Sequence, residues 1–284
     1  MIGQAQLPRS TVLALLASTF PHSPAAPRMA RAGLHIASNG TPCMDNPAPG
    51  SDVGVLLSGG LDSSILVGHL LRQGRRVQPF YVQSGLVWQR AEIRAVRRFL
   101  RRLCGQHAAL GELVLLRVPL DDLYQGHWSL TGLNPPDAHT ADEAVFLPGR
   151  NALLLMKPAL WCQLHGIDEL ALGVLGTNPF ADASPGFFDA FEAVVHRSGA
   201  SRVRLVRPFA GLSKRQVMEL GRDLPLELTF SCIAPQSTRH CGLCNKCAER
   251  QAAFRLIDLP DPTPYGRPPA RVPSGRAAPC GRNP

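Results

Sequence analysis

Residues 53–64 read Val-Gly-Val-Leu-Leu-Ser-Gly-Gly-Leu-Asp-Ser-Ser. Val53 to Leu57 is a short apolar run of the kind that fills a buried strand. Ser58-Gly59-Gly60 breaks it with a tight turn. From Ser63 to Arg72, Ile65, Leu66, His69 and Leu70 share one side, a helical pattern that Gly74 closes. A strand that passes through glycines into a helix begins a βαβ unit, and the turn is a ready anion site. Gly59 and Gly60 let the backbone bend tightly and bring its N–H groups close to a ligand. Ser63 and Ser64 offer hydroxyls at the helix N-terminus, where the helix dipole favours negative charge. No Gly-Lys-Ser/Thr follows at Walker spacing, and the dinucleotide fingerprint is absent. The seven residues Ser58, Gly59, Gly60, Leu61, Asp62, Ser63 and Ser64 are therefore read as a pyrophosphate cradle.

Outward from this stretch, strands and helices alternate. Residues 77–82, 113–118, 169–174 and 202–206 read as strands. Residues 89–103, 151–165, 187–198 and 246–256 read as helices, and Ser213 is a plausible N-cap for another. Residues 121–146, with Asn134-Pro-Pro136, read as a long loop with short helical turns. This order predicts an α/β fold: a parallel sheet with right-handed crossovers and helices on both faces.

The second landmark is Cys232-x8-Cys241-x2-Cys244-x2-Cys247. Four thiolates so close together suit one structural zinc, closed and without an open coordination position. His240 is an alternative ligand, and an iron–sulfur cluster is the rival metal reading. The ferredoxin pattern would place its fourth cysteine where Gln251 stands. Lys246, Arg239 and Arg250 are expected to offset the charge of the centre.

The whole chain has 284 residues, 45% of them hydrophobic, enough to bury a substantial core. No apolar run is long enough to span a bilayer. The formal net charge of +9 suggests nucleic acid first. Yet residues 1–50 hold +2 and residues 266–284 hold +4, which leaves +3 for the 215 residues between. The two ends are also rich in proline, with seven and five of the 26. They are expected to be disordered flanks around a nucleotide-binding domain (51–230) and a zinc-binding segment (231–265). The apolar run Thr11 to Ser18 faintly resembles a secretory signal. The cysteine usage downstream suits a reducing cytoplasm instead. Met29 and Met44 are alternative starts.

Ser58-Gly-Gly-x-Asp-Ser resembles the PP-loop of the ATP pyrophosphatases. Those enzymes adenylate a carbonyl or carboxylate, and a nitrogen or sulfur nucleophile then displaces AMP. The resemblance ties Asp62 to the metal and pyrophosphate end of ATP. A third landmark, Pro148-Gly-Arg-Asn151, follows the long loop. Arg150 can bind phosphate or carboxylate through two N–H groups, and Asn151 can cap the helix or bind a base edge.

The three landmarks in this order resemble the 7-cyano-7-deazaguanine synthase family, also called QueC or ExsB. Gln89-Arg90 with Glu92, Arg207-Pro208-Phe209, Lys214, Ser231, Arg250 and Asp261-Pro-Thr-Pro-Tyr265 extend the match. The resemblance implies a Rossmann-like, adenine nucleotide alpha-hydrolase-like sheet with a zinc-binding C-terminal segment. It also implies ATP-dependent conversion of 7-carboxy-7-deazaguanine and ammonia to the nitrile, with Mg2+ accompanying ATP. Asp62, Arg150 and Lys214 are the expected catalytic residues; Gln89, Arg90, Asn151 and Asp182 are the expected substrate contacts. A homodimer is compatible with this reading, and no membrane or stable nucleic-acid partner is expected. Two stretches depart from the family. Gly176 to Phe188 replaces its usual Tyr-Pro-Asp-Cys-Arg, and the segment from Tyr81 to Gln89 is longer. A PP-loop enzyme that thiolates or amidates a tRNA base, and a non-catalytic nucleotide-binding regulator, are the competing readings.

Overall fold

Val53, Val55 and Leu57 are fully buried in one apolar layer, while Leu56 between them packs into another. That alternation makes this strand a two-sided wall. The computed structural model describes residues 52–199 and 202–266. In chain order the strands are β1 (Asp52–Leu56), β2 (Arg76–Gln83), β3 (Val114–Arg117), β4 (Glu169–Ala171) and β5 (Arg204–Val206). All pair in parallel, in the spatial order β3-β2-β1-β4-β5.

Helices α1 (Leu61–Arg72), α2 (Gln89–Cys104), α6 (Lys214–Leu220) and α7 (Asn245–Leu256) cover one face. Helices α4 (Arg150–His165) and α5 (Pro185–Ser198) cover the other, against Phe80, Leu170 and Leu172. The strand order reverses between β1 and β4. Crossovers there leave to opposite faces and open a crevice at the carboxyl ends of both strands, where open α/β sheets bind ligands. The expected parallel sheet with helices on both faces is what the chain forms.

Most elements lie within a residue or two of their expected limits. The fourth strand differs: it stops at Ala171 rather than Val174. Gly173 meets the start of α1 so closely that a Cβ there would sit 3.0 Å from the Asp62 carbonyl carbon and the Ser63 nitrogen. The chain leaves the ladder to make that approach, and residues 172–174 become cleft wall.

The long loop holds α3 (Trp128–Thr131) and a 3-10 turn, Asp142–Val145. It is not free-standing. Asn245 N–H donates to Pro136 O (3.2 Å), and Asp137 bridges to Cys244. Trp128 and Tyr124 pack on a third apolar cluster with Trp88, Phe230 and the four cysteines. Ser213 caps α6 as expected, in a capping box with Gln216. Asn151 does not cap α4. Gly149 occupies the cap position, and Asp182 reaches across from the turn Ala181–Ala183 to accept the Asn151 N–H (3.1 Å). The flank 1–50 and the tail beyond Gly266 lie outside the described residues. Among the described residues no helix is long and apolar enough to cross a membrane.

Candidate active site

The loop after β1 turns at Gly59, whose φ of +85° suits glycine, and Phe230 N–H fixes its carbonyl (2.6 Å). Helix α1 then starts at Gly60 with no side-chain cap. Among the described residues no acceptor takes the N–H groups of Leu61, Asp62 and Ser63. Three free donors at the positive end of a twelve-residue helix fit an anion's oxygens. Ser58 and Ser63 brace the loop: their hydroxyls are 3.1 Å apart, and Ser58 N–H donates to Ser63 Oγ (3.2 Å). Ser64 is fully buried beneath the loop, outside the cleft, with its hydroxyl unpartnered.

The loop opens into a cleft of about 350 Å³ at the strand reversal. Its polar walls come from several elements, beside residues 172–174 and the start of α7. The loop supplies Ser58, Gly60, Asp62 and Ser63; α4 supplies Arg150 and Asn151; α6 supplies Lys214; the start of α2 supplies Trp88 and Glu92. The three expected catalytic residues therefore meet in one cavity. Lys214 Nζ lies 2.6 Å from Asp62 Oδ1, joining the first turns of α6 and α1. Arg150 Nε is buried without a hydrogen-bond partner.

Glu92 was matched to the family, but its place in the cleft was not read from sequence. It accepts a hydrogen bond from Tyr81 Oη (2.7 Å). Burial pushes its pKa up to about 7, even though Tyr81, the Arg150 charge and the Trp88 side chain all favour the carboxylate. Tyr81 is pushed above its ordinary value by burial and then by Glu92. The cleft thus holds amide and cationic donors suited to phosphate, and a carboxyl near half-protonation at neutral pH.

Three expected substrate contacts, Gln89, Arg90 and Asp182, do not line the cleft. Trp88 and Glu92 sit four residues apart on the side of α2 that faces the cleft, so Gln89 and Arg90 face elsewhere. Gln89 accepts the Gly85 N–H (2.8 Å), and Arg90 is exposed in a surface groove. Asp182 is buried as the α4 cap and does not line the cleft. The stretch that departs from the family places Thr177 to Phe180 in an adjoining recess shared with Asp62 and Lys214.

The Sγ atoms of Cys232, Cys241, Cys244 and Cys247 all lie within 4.8 Å of one another, and all four residues are buried. Backbone N–H groups serve the sulfurs: Cys241 N–H points to Cys232 Sγ (3.2 Å), and Cys244 N–H to Cys241 Sγ (3.3 Å). This set can hold a metal. His240 is outside it: its Nε2 accepts the Ser231 N–H (3.1 Å). Of the cations expected to offset the thiolates, Arg250 lies close enough for its charge to act on Cys247. Lys246 pairs with Glu249 (2.5 Å) and Arg239 forms a backbone bridge with Gln236. Arg250, 1% exposed, donates to Thr263 Oγ1 (2.6 Å), Thr229 Oγ1 (2.7 Å) and Leu226 O (2.8 Å). It laces three segments together at the edge of the cleft, a role its sequence position did not disclose.

Residues 53–258 match the family described as Queuosine biosynthesis protein QueC. The chain is 33% identical over 207 residues to 7-cyano-7-deazaguanine synthase 1 of Desulfitobacterium hafniense (strain Y51), covering 71% of this chain and 90% of the relative. It is 34% identical over 228 residues to the 7-cyano-7-deazaguanine synthase of Methanopyrus kandleri, covering 74% and 97%. Among solved structures, a 4-thiouridine synthetase in complex with RNA and ATP is similar at 18% identity and a TM-score of 0.44, covering 73% of this chain and 50% of that one. The matched residues span the glycine loop, the Arg150 turn and the cysteine cluster: the chain belongs to the QueC family of queuosine biosynthesis.

Proposed function

We propose that this chain is an ATP-dependent synthase that converts 7-carboxy-7-deazaguanine and ammonia to 7-cyano-7-deazaguanine in the cytoplasm. One observation carries the reading: a helix N-terminus with three unclaimed amides opens into the crevice at the strand reversal, faced by Arg150 and Lys214. That site is built for a polyphosphate. Adenylation makes sense of it, because a carboxylate is a poor electrophile until one oxygen becomes a good leaving group.

The substrate carboxylate attacks the α-phosphorus of ATP and expels pyrophosphate into the loop. Ammonia displaces AMP to give the amide, with a proton lost from nitrogen. The amide oxygen attacks the α-phosphorus of a second ATP and expels a second pyrophosphate, and departure of AMP with the two remaining amide protons leaves the nitrile. Leu61, Asp62 and Ser63 amides would hold the departing pyrophosphate. Arg150 and Lys214 would stabilise charge from opposite walls, and Asn151 would contact the substrate. Magnesium bound with ATP would neutralise phosphate charge, and Asp62 would hold it.

The four cysteines would hold one structural zinc. A tetrahedral centre with Zn–S bonds of about 2.3 Å has S···S edges of about 3.8 Å. The separations of 3.8 Å for Cys232–Cys244 and 3.9 Å for Cys241–Cys247 support that size. A cubane cluster spreads its thiolates over four irons and needs a wider cage.

The test is direct. The protein with ATP, magnesium, ammonium and 7-carboxy-7-deazaguanine should form the nitrile, AMP and pyrophosphate, followed by mass spectrometry. Other carboxylates run in parallel, because Gly176 to Phe188 departs from the family beside the cleft. ATP consumption only in the presence of tRNA would favour base modification instead. Nucleotide binding without turnover on any acid would favour a regulator. Size-exclusion chromatography with light scattering tests the homodimer.

A further inference from the structure

Helix α2 is divided in charge. Its apolar side, including Ala95, Val96, Phe99 and Leu103, is buried in the core. The other side carries Arg90, Arg94, Arg97, Arg98, Arg101 and Arg102, all exposed. Its only acid, Glu92, is engaged with Tyr81 in the cleft. Among the described residues none of these six arginines joins an ion pair. From Arg90 to Arg102 they extend about 18 Å along the helix.

A face kept only for solubility mixes both signs, because opposite charges three or four residues apart support a helix. Here the spacing does the reverse. Arg90–Arg94, Arg94–Arg98, Arg97–Arg101 and Arg98–Arg102 are like-charge pairs at four residues, and Arg94–Arg97 and Arg98–Arg101 at three. Each pair works against the helix, so the array needs another reason. Every cation is arginine rather than lysine, the planar donor that grips phosphate through two N–H groups. Two surface grooves follow the row. One is lined by Arg90 and Arg94 with Ser237 and Thr238, the other by Arg97 and Arg101 beside Gln83.

We propose that this arginine face binds the phosphodiester backbone of a nucleic acid. A lipid surface fits less well, because the helix has no apolar side free to insert. An acidic protein fits less well, because protein interfaces have apolar anchors at their centre. The exposed apolar group near the face, Val87, stands at its end. The small excess of +3 over residues 51–265 averages this segregation away, which is why the charge count argued against nucleic acid.

The experiment titrates the full chain with a short RNA duplex and a DNA duplex of equal length, by fluorescence anisotropy over a salt series. The variant replaces Arg94, Arg97, Arg98, Arg101 and Arg102 with Gln together. It should lose at least about tenfold in affinity, and its log K against log salt should be shallower by about 3 to 4. ATP turnover should be unchanged and thermal stability equal or higher, since the repulsive pairs are gone. A second variant with Gln at Arg267, Arg271, Arg276 and Arg282 should keep most of the binding. Tighter binding of RNA than DNA would name the source of the phosphates; equal binding would show backbone recognition alone. The proposal is overturned by unchanged affinity and slope in the α2 variant, or by loss in the tail variant only. It is equally overturned if neither duplex binds at low salt, or if phosphatidylserine vesicles or polyglutamate compete more strongly than the duplexes.

Discussion

Glu92 shows what one enclosed carboxyl does to its surroundings. Its folded pKa of about 7 lies above the ordinary 4.5, so the folded chain holds its proton more tightly than the unfolded chain. As pH rises from about 4.5 to about 7, that preference is lost and stability falls. Glu92→Gln mimics the protonated form. Its advantage over the wild type should be near zero at pH 4.5 and grow to on the order of 2–3 kcal/mol above pH 7. Urea unfolding at a series of pH values would measure the difference, and a pH-independent difference would refute the assignment. Asp62→Ala should leave the fold intact, by circular dichroism, and lower turnover by at least about 100-fold. Normal turnover would remove Asp62 from the site. Asp62 was legible because its loop is contiguous in sequence. Glu92 was not, because only folding brings Tyr81, Arg150 and Trp88 around it. A signal did exist: Glu92 is the sole acid in a helix of arginines, one position from buried Ala91.

At the scale of elements, the hydrophobic periods and glycine turns disclosed every strand and long helix. They did not disclose where β4 would end, because that depends on a contact with a distant backbone. Gly173→Ala would push a methyl group against the Asp62–Ser63 peptide. We expect it to lower turnover at least about tenfold and to cost about 1–3 kcal/mol. Steady-state assays and thermal unfolding would show it, and a neutral result would mean the approach is slack. Ser213→Ala removes half of the capping box on α6 and should cost about 1 kcal/mol. Because Lys214 is the first residue of that helix, its KM for ATP should rise as well; a stability loss with unchanged KM would separate cap from cleft. Asp182 illustrates the limit from the other side. Its sequence position at the carboxyl end of the sheet suggested a substrate contact, but its carboxylate completes a helix end 31 residues away.

For the whole molecule, the cysteine segment ties distant parts of the chain to one another. It packs with the start of α2 and the long loop, while Arg250 binds Leu226, Thr229 and Thr263. Removing the metal should therefore disturb the cleft as well as the segment. A strong chelator should lower the midpoint of thermal unfolding and abolish turnover, and metal analysis before treatment should find about one zinc per chain. Retained activity with no bound metal would refute that coupling. Spacing made the four cysteines legible as candidate ligands, but not their packing partners, since Trp88 and Ala91 lie more than 140 residues before Cys232.

The Lys214–Asp62 pair has a consequence for how the cleft fills. At rest each group neutralises the other, so a divalent ion arriving alone must evict an ammonium. A triphosphate arriving alone must draw that ammonium from its carboxylate. When both arrive, the four charges exchange partners, lysine to phosphate and carboxylate to metal, and no charge is stranded. Nucleotide and metal should accordingly bind with positive heterotropic cooperativity, and calorimetric titration of each in the presence and absence of the other would yield the same coupling from either direction.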